Sequence, residues 1–298
     1  MQDRGHLMTE LCNQRSMSID RMSVAESFDV VNAEDATIVS AVAAAKPSIV
    51  AAIELVVAAF RSGGRLFYIG AGTSGRLGVV DASECPPTFL TPPEMVVGII
   101  AGGREAMFRA VEGAEDSAEV GGQEMDKNNV GPKDVVFGIA TGATTPYVHG
   151  AIARAKQLGA KTVFFACVPK EQFQDQADVS IRVLTGPEVI TGSTRMKAGT
   201  ATKLVLNMVT TIAMVQIGKV YGNLMVDMNA FSNRKLVDRG GRIISRVTGV
   251  SREQGIELLY AAKGSVKTAI VMHFRGVDCE KAEALLAEHH GNVRSVVG

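Results

Sequence analysis

Three short segments carry the residue types that hold a phosphate. Residues 68–75 read Tyr-Ile-Gly-Ala-Gly-Thr-Ser-Gly, with adjacent hydroxyls on Thr73 and Ser74. Glycine lets backbone come close to a ligand, and the free N–H groups of a helix start favour an anion. Residues 140–146, Ala-Thr-Gly-Ala-Thr-Thr-Pro, make a second hydroxyl-rich turn, with Pro146 suited to the first turn of a following helix. Residues 191–200, Thr-Gly-Ser-Thr-Arg-Met-Lys-Ala-Gly-Thr, make a third. The expected contacts to phosphate or sugar are Gly72, Thr73, Ser74, Thr141, Thr144, Thr145, Ser193, Thr194 and Lys197. Arg195 offers a further charge, although long basic side chains are commonly solvated. Serine and threonine are also ordinary helix caps, which would account for any one of these turns taken alone.

The spacing of Gly70, Gly72 and Gly75 fits G-x-G-x-x-G, a pattern shared by dinucleotide sites and by tight strand-to-helix turns with no ligand. A nicotinamide site wants an acid after the second strand to hold the ribose hydroxyls. Here the nearest acid, Glu94, precedes that strand, so a sugar phosphate fits better. Two acidic places could move protons. Glu84, in Asp-Ala-Ser-Glu-Cys-Pro-Pro, is expected at the end of the helix that the first turn begins, where the helix dipole disfavours an ionised carboxylate. Glu115 belongs to Glu112-Gly-Ala-Glu-Asp-x-x-Glu119, which a solvated helix face also explains. Paired carboxylates beside a bound sugar suit proton transfer on carbon and oxygen. The five histidines include no H-x-x-x-H and no acid constellation, which argues against a metal. No G-x-S-x-G elbow is present.

The elements that would position these residues follow a βαβ rhythm. Apolar runs at 66–69, 95–101, 135–140, 162–166 and 179–184 lack clean alternation, as expected of strands buried on both faces of a parallel sheet. Helical stretches are expected at 75–83, 104–125 and 147–158, with a long helix at 194–220. The expectation is an α/β, doubly wound sheet whose ligand lies outside the carboxyl ends of the strands. Ahead of it, residues 1–30 read as a polar extended arm. A helix over 34–61, opened by Asn32 and Asp35, should be kinked or split by Pro47. Residues 31–239 form the expected main domain. Residues 240–298 form a small helical appendage, with segments near 242–248, 251–262, 267–274 and 279–289.

Composition narrows the function classes. Lys+Arg and Asp+Glu both number 31, so no basic face is implied and nucleic acid is not an expected partner. The four cysteines are scattered, without paired spacing, as in reduced cytoplasmic proteins. The N-terminal residues lack a signal-peptide core, and no apolar run reaches the roughly 18–20 residues of a membrane helix. A cytoplasmic protein that does not contact a membrane is expected.

Longer motifs resemble one family. Gly70-Ala-Gly-Thr-Ser-Gly-Arg-Leu-Gly, Asp81-Ala-Ser-Glu-Cys-Pro-Pro-Thr, Val111-Glu-Gly-Ala-Glu-Asp-Ser and the run from Gly186 to Thr200 are similar to the N-acetylmuramic acid 6-phosphate etherases. So are Thr9-Glu10, Asn13, Ile19-Asp-Arg, Gly222-Asn-Leu-Met-Val-Asp and Lys267-Thr-Ala-Ile-Val-Met. The resemblance implies a sugar-isomerase (SIS) fold, a three-layer αβα sandwich on a five-stranded parallel sheet, with a small C-terminal helical domain. It implies a homodimer with its active site near the subunit interface, a sugar-phosphate substrate, and no metal or organic cofactor. It also implies cleavage of the D-lactyl ether of N-acetylmuramic acid 6-phosphate in cell-wall sugar recycling, with Glu84 and Glu115 as the proton-transfer residues. One loop departs from the family's A-S-G-R-T-P-Y: residues 141–147 lack its serine and arginine and gain Thr141 and Thr144. Two other activities fit a SIS fold, a catalytically silent sugar-phosphate sensor like the glucokinase regulatory protein and an aldose–ketose isomerase.

Overall fold

A computed structural model describes residues 4–228, 230–232 and 234–298. The chain divides into two compact units, residues 1–83 with 94–210, and residues 84–93 with 211–298. The second unit therefore begins earlier than the expected boundary at 239/240 and includes a piece of chain from before the second strand.

The first unit is built on a five-stranded sheet with order β2-β1-β3-β4-β5. Its strands are β1 (Leu66–Gly70), β2 (Val96–Ile100), β3 (Val135–Ile139), β4 (Lys161–Ala166) and β5 (Val179–Arg182), paired parallel throughout. Every residue of β1 and β3 is buried, which is why neither strand alternates in polarity. The strand order reverses between β1 and β3, so the turns that leave those two strands diverge from a switch point. Helices α3 (Lys46–Arg61) and α6 (Pro146–Gln157) pack on the sheet. Phe67, Ile69, Val136, Tyr147, Val148 and Phe164 share one core cluster.

The helices ahead of β1 differ from expectation. Helix α1 (Val24–Asp35) starts at a capping box made by Ser23 and Glu26, not at Asn32. Helix α2 (Ile38–Ala44) follows, and Pro47 sits in the first turn of α3, so the chain splits where the proline predicts. The arm is not extended. It carries three 3-10 turns, Met8–Glu10, Gln14–Ser16 and Ile19–Arg21, before α1.

Helix α4 (Gly72–Phe89) is longer than expected and continues through Pro86 and Pro87. The region expected as one helix over 104–125 holds a 3-10 turn, Gly103–Met107, then irregular chain, then α5 (Ala118–Lys127). The long helix is α7 (Lys197–Gln216). By length and composition α7 could cross a membrane, contrary to the sequence reading, but more than half of it is buried, as in a core helix.

The second unit contains the ribbon β6 (Val220–Tyr221) with β7 (Leu224–Met225), which the sequence reading missed. Helices α8 (Arg234–Thr248), α9 (Arg252–Ala261), α10 (Val266–Arg275), α11 (Cys279–Glu288) and α12 (Val293–Val297) follow. Their shared core includes Ile244, Leu259, Ile270, Leu286 and Val293. Lys267 is buried there, donates to the carbonyls of Gly218 and Gly291 at 3.0 and 2.7 Å, and forms an ion pair with Asp227 Oδ2 at 2.7 Å.

Candidate active site

The glycines after β1 have different jobs. A Cβ on Gly70 would lie 2.8 Å from the Gly75 nitrogen, and one on Gly75 would lie 2.6 Å from the Gly70 carbonyl oxygen. Those two positions are closed by the turn itself. Gly72 has a φ of +52° and nothing within 4 Å of its Cβ position. It opens onto a cleft of about 280 Å³ whose walls include Ala71, Gly72, Arg76, Ala101, Glu112 and Glu115.

Glu115 reaches this cleft from an irregular segment that is fixed at both ends. Its backbone carbonyl accepts the Tyr147 N–H at 3.0 Å, at the start of α6. Ser117 then caps α5, its hydroxyl accepting the Val120 N–H at 3.2 Å. Arg76, one helical turn beyond Gly72, donates through Nε to the Met107 carbonyl at 3.1 Å and through Nη2 to the Arg109 carbonyl at 3.2 Å. Thus α4 begins at the glycine turn and also holds the chain that leads to Glu115. Glu84 is exposed, farther along α4, and belongs to the second unit. It is not among the residues that line this cleft. Because α4 runs on to Phe89, Glu84 is not at a helix end, and the dipole argument made from sequence does not apply to it.

The second turn is tightly held. Thr141 is buried, and its carbonyl accepts the Cys167 N–H at 2.8 Å. Thr144 and Thr145 are half-buried. Ala143 adopts a φ of +63°, and its carbonyl oxygen lies 2.6 Å from His149 Nε2. The His149 ring stacks on Phe164 and Phe173 at 5.1 and 5.0 Å, so this histidine braces the turn. Burial pushes the neighbouring Cys167 thiol up to about 12, which keeps it protonated and inert.

The third turn differs most from expectation. Lys197 is 2 % exposed, and its ammonium donates to Glu34 Oε2 at 2.6 Å and to the Thr185 carbonyl at 2.8 Å. It does not present a free charge to an anion. Glu188, fully buried, already covers the N-terminus of α7, its carboxylate accepting the Lys197 and Ala198 N–H groups at 2.9 Å each. Burial raises the Glu188 carboxyl above the usual range even though those N–H groups and Lys197 oppose it. Burial also pushes Glu34 upward, but the hydrogen bonds of Lys197 and Asn13 and the charges of Lys197 and Arg15 outweigh it and hold Glu34 below that range. Asn13 donates to Glu34 at 2.8 Å, joining the arm to this network. Ser193 and Thr194 remain half-buried in the turn before α7. Thr73 approaches the same helix, its methyl 3.5 Å from the Cβ position of Gly199. Ser74 is buried beneath the first turn.

The structure therefore brings Gly72 and Glu115 to one cleft and leaves the 141–145 and 193–194 hydroxyls outside its lining. Sequence reasoning missed Arg76, although its position four residues after Gly72 puts it on the same helical face. It also missed Glu188 and Glu34, for which no local signal exists. No cluster of potential metal ligands occurs among the described residues.

Comparison with known proteins decides the family. A protein from Nostoc punctiforme named N-acetylmuramic acid 6-phosphate etherase is 54% identical over 297 residues, covering 100% of this chain and 96% of its own length. One from Synechocystis sp. with the same name is 52% identical, covering 100% of this chain and 97% of its own. The chain belongs to the N-acetylmuramic acid 6-phosphate etherase family. Residues 48–156 match the N-terminal SIS domain of the glucokinase regulatory protein, and residues 113–212 match the SIS domain. The etherase relatives align along the full length, so both compact units are part of the family's common chain.

Proposed function

We infer that this chain is a carbon–oxygen lyase that cleaves the D-lactyl ether of N-acetylmuramic acid 6-phosphate, yielding N-acetylglucosamine 6-phosphate and D-lactate. The observation that carries the reading is the cleft whose lining holds both the glycine turn at Gly72 and Glu115; family membership names the substrate.

An ether oxygen is a poor leaving group, but in the ring-opened sugar it lies β to the aldehyde. Removal of the carbon-2 proton gives an enolate, which expels lactate from carbon 3. Water then adds at carbon 3 of the unsaturated sugar. In this reading Glu115 takes the carbon-2 proton and Glu84 protonates the departing lactate. Each such proton transfer contributes on the order of 10²–10⁴ in rate. Gly72, Thr73 and Ser74 hold the phosphate, and Thr141, Thr144, Thr145, Ser193 and Thr194 face the sugar. Phosphate binding supplies remote energy that keeps the reacting carbons in register. The reaction needs no redox step. The scattered free thiols support a reducing, cytoplasmic setting. The homodimer that the family resemblance implies would cover exposed apolar side chains such as Val24, Phe28 and Val39, and sedimentation would test it.

The test is incubation of the pure protein with N-acetylmuramic acid 6-phosphate and measurement of D-lactate, for wild type, Glu84→Gln and Glu115→Gln. Lactate from wild type, and at least a hundredfold less from either variant with unchanged folding, is expected. Fructose-type products would point instead to an isomerase, and binding without lactate to a sensor. Solvent deuterium uptake at carbon 2 should fail in Glu115→Gln and persist in Glu84→Gln.

A further inference from the structure

The N-terminal arm is fastened to the segments that follow β4 and β5, on both sides of residues 9–12. Before it, the Met8 N–H donates to Gln172 Oε1 at 2.9 Å, and Gln172 Nε2 donates to the His6 carbonyl at 3.1 Å, in the segment that follows β4. After it, Asn13 Nδ2 donates to the Pro187 carbonyl at 3.2 Å, and the Ser16 hydroxyl donates to the Val189 carbonyl at 2.7 Å, in the segment that follows β5. Residues 9–12 stand between these anchors, and they begin with the dipeptide Thr9-Glu10. Its side chains meet the two turns that the cleft at Gly72 leaves out. Thr9 Oγ1 lies 3.6 Å from the Cβ position of Gly142, and Glu10 Oε2 lies 3.4 Å from that of Gly192. In each case the arm supplies the sole heavy atom within 4 Å among the described residues apart from the glycine and its two chain neighbours.

Two further facts point to a ligand there. Thr9 is 1 % exposed, yet its hydroxyl has no hydrogen-bond partner among the described residues. A buried polar group without a partner is uncommon in a native fold and asks for an explanation. Glu10, by contrast, is exposed beside the 191–194 turn. The 140–146 turn leaves the carboxyl end of β3, where open α/β sheets take their ligands, and the 191–194 turn follows β5 farther along the chain.

We propose that Thr9 and Glu10 form a further wall of the sugar site, with Glu10 accepting hydroxyl protons of the bound sugar and Thr9 completing its hydrogen bonding when the sugar seats against the 141–145 turn. A carboxylate repels a phosphate and accepts from hydroxyls, so Glu10 reads the sugar rather than the phosphate. The arm thereby sets selectivity between sugar phosphates and other anions. This inference rests on the sugar-phosphate reading above and deepens it.

The test compares Glu10→Gln and Thr9→Val with wild type by calorimetric titration with N-acetylglucosamine 6-phosphate, and by competition of that binding with inorganic phosphate. Loss of one charge-assisted hydrogen bond should weaken sugar-phosphate binding about tenfold in Glu10→Gln. The inorganic phosphate constant should stay within about twofold, and the thermal midpoint should not move. Thr9→Val, which keeps the side-chain shape, should weaken the sugar phosphate about fivefold with the same selectivity. Equal weakening of both ligands would show that the arm only braces the fold and would overturn the proposal, as would no change in either. Binding is read without turnover, so wild type that binds the sugar phosphate but releases no lactate would defeat the lyase reading and leave this inference standing.

Discussion

Replacing Lys197 with methionine separates two roles for that lysine. If its ammonium contacted substrate phosphate, the variant would bind substrate poorly and fold normally. The structure instead surrounds it with Glu34 and the Thr185 carbonyl, at 2 % exposure. Removing one partner of a buried pair typically costs about 3–5 kcal/mol, because a charge is left uncompensated. Glu34 would keep Asn13 at 2.8 Å and the exposed Arg15 at 3.4 Å, so the lower end, about 3 kcal/mol, applies. At roughly 2–4 °C per kcal/mol for a chain of this size class, the midpoint should fall by about 6–12 °C. Calorimetry and lactate kinetics on the same preparation give both readouts. Lys197→Met combined with Glu34→Leu should recover at least half of the loss, since no stranded charge remains. A midpoint within about 2 °C of wild type, with KM raised tenfold or more, would refute the structural role.

Three other outcomes follow from the geometry. A Cβ on Gly150 would lie 1.8 Å from the Ala118 carbonyl oxygen, so Gly150→Ala must push α5 from α6 and strain the Tyr147–Glu115 link; a loss of about 1–3 kcal/mol and at least a tenfold fall in kcat are expected from thermal unfolding and lactate release. Gly72→Ala places a side chain in the left-handed region at a cleft wall, at roughly 1–2 kcal/mol, so KM should rise with a small loss of stability. Glu34, Asp175 and Asp178 are all held below the ordinary carboxylate range: burial pushes each upward, but hydrogen bonds and neighbouring cations outweigh it. For a depressed carboxyl the stabilisation is complete above the unfolded value near 4 and is lost as pH falls through the folded value. Below about pH 4 these three groups should therefore lower the unfolding midpoint, opposed by Glu188 and Asp81, which burial raises and whose protonation favours the folded state; Asp178→Asn should shrink the acid loss, and an unchanged acid profile would contradict this assignment.

Local rules made the sheet legible. Each strand of the main sheet was visible as a short β-branched or aromatic run, and Pro47 marked a real break between α2 and α3. Local rules failed where long-range packing overrode them. Pro86 and Pro87 suggested a helix end near Ser83, yet α4 continues to Phe89, so the acid before them is a mid-helix residue. The acids at 112–119 have helical spacing, but only the last of them, Glu119, lies in a helix; Glu115 is in the irregular chain ahead of α5. The Lys197–Glu34 pair joins residues 163 positions apart. At that separation nothing in a single sequence distinguishes a lysine that binds anions from one that neutralises a distant glutamate. The arm was misjudged for the same reason, because its polar residues find partners beyond β4 and β5.

The division of labour among Gly70, Gly72 and Gly75 also bears on how such patterns are used. Two of the three are compelled by steric closure of the bend, whatever the cargo. A signature written around all three therefore classifies backbone shape, and it will group nucleotide carriers, sugar enzymes and empty bends together. Discrimination has to come from what lines the opening above the middle glycine, here an arginine one turn along and a glutamate arriving from a separate segment.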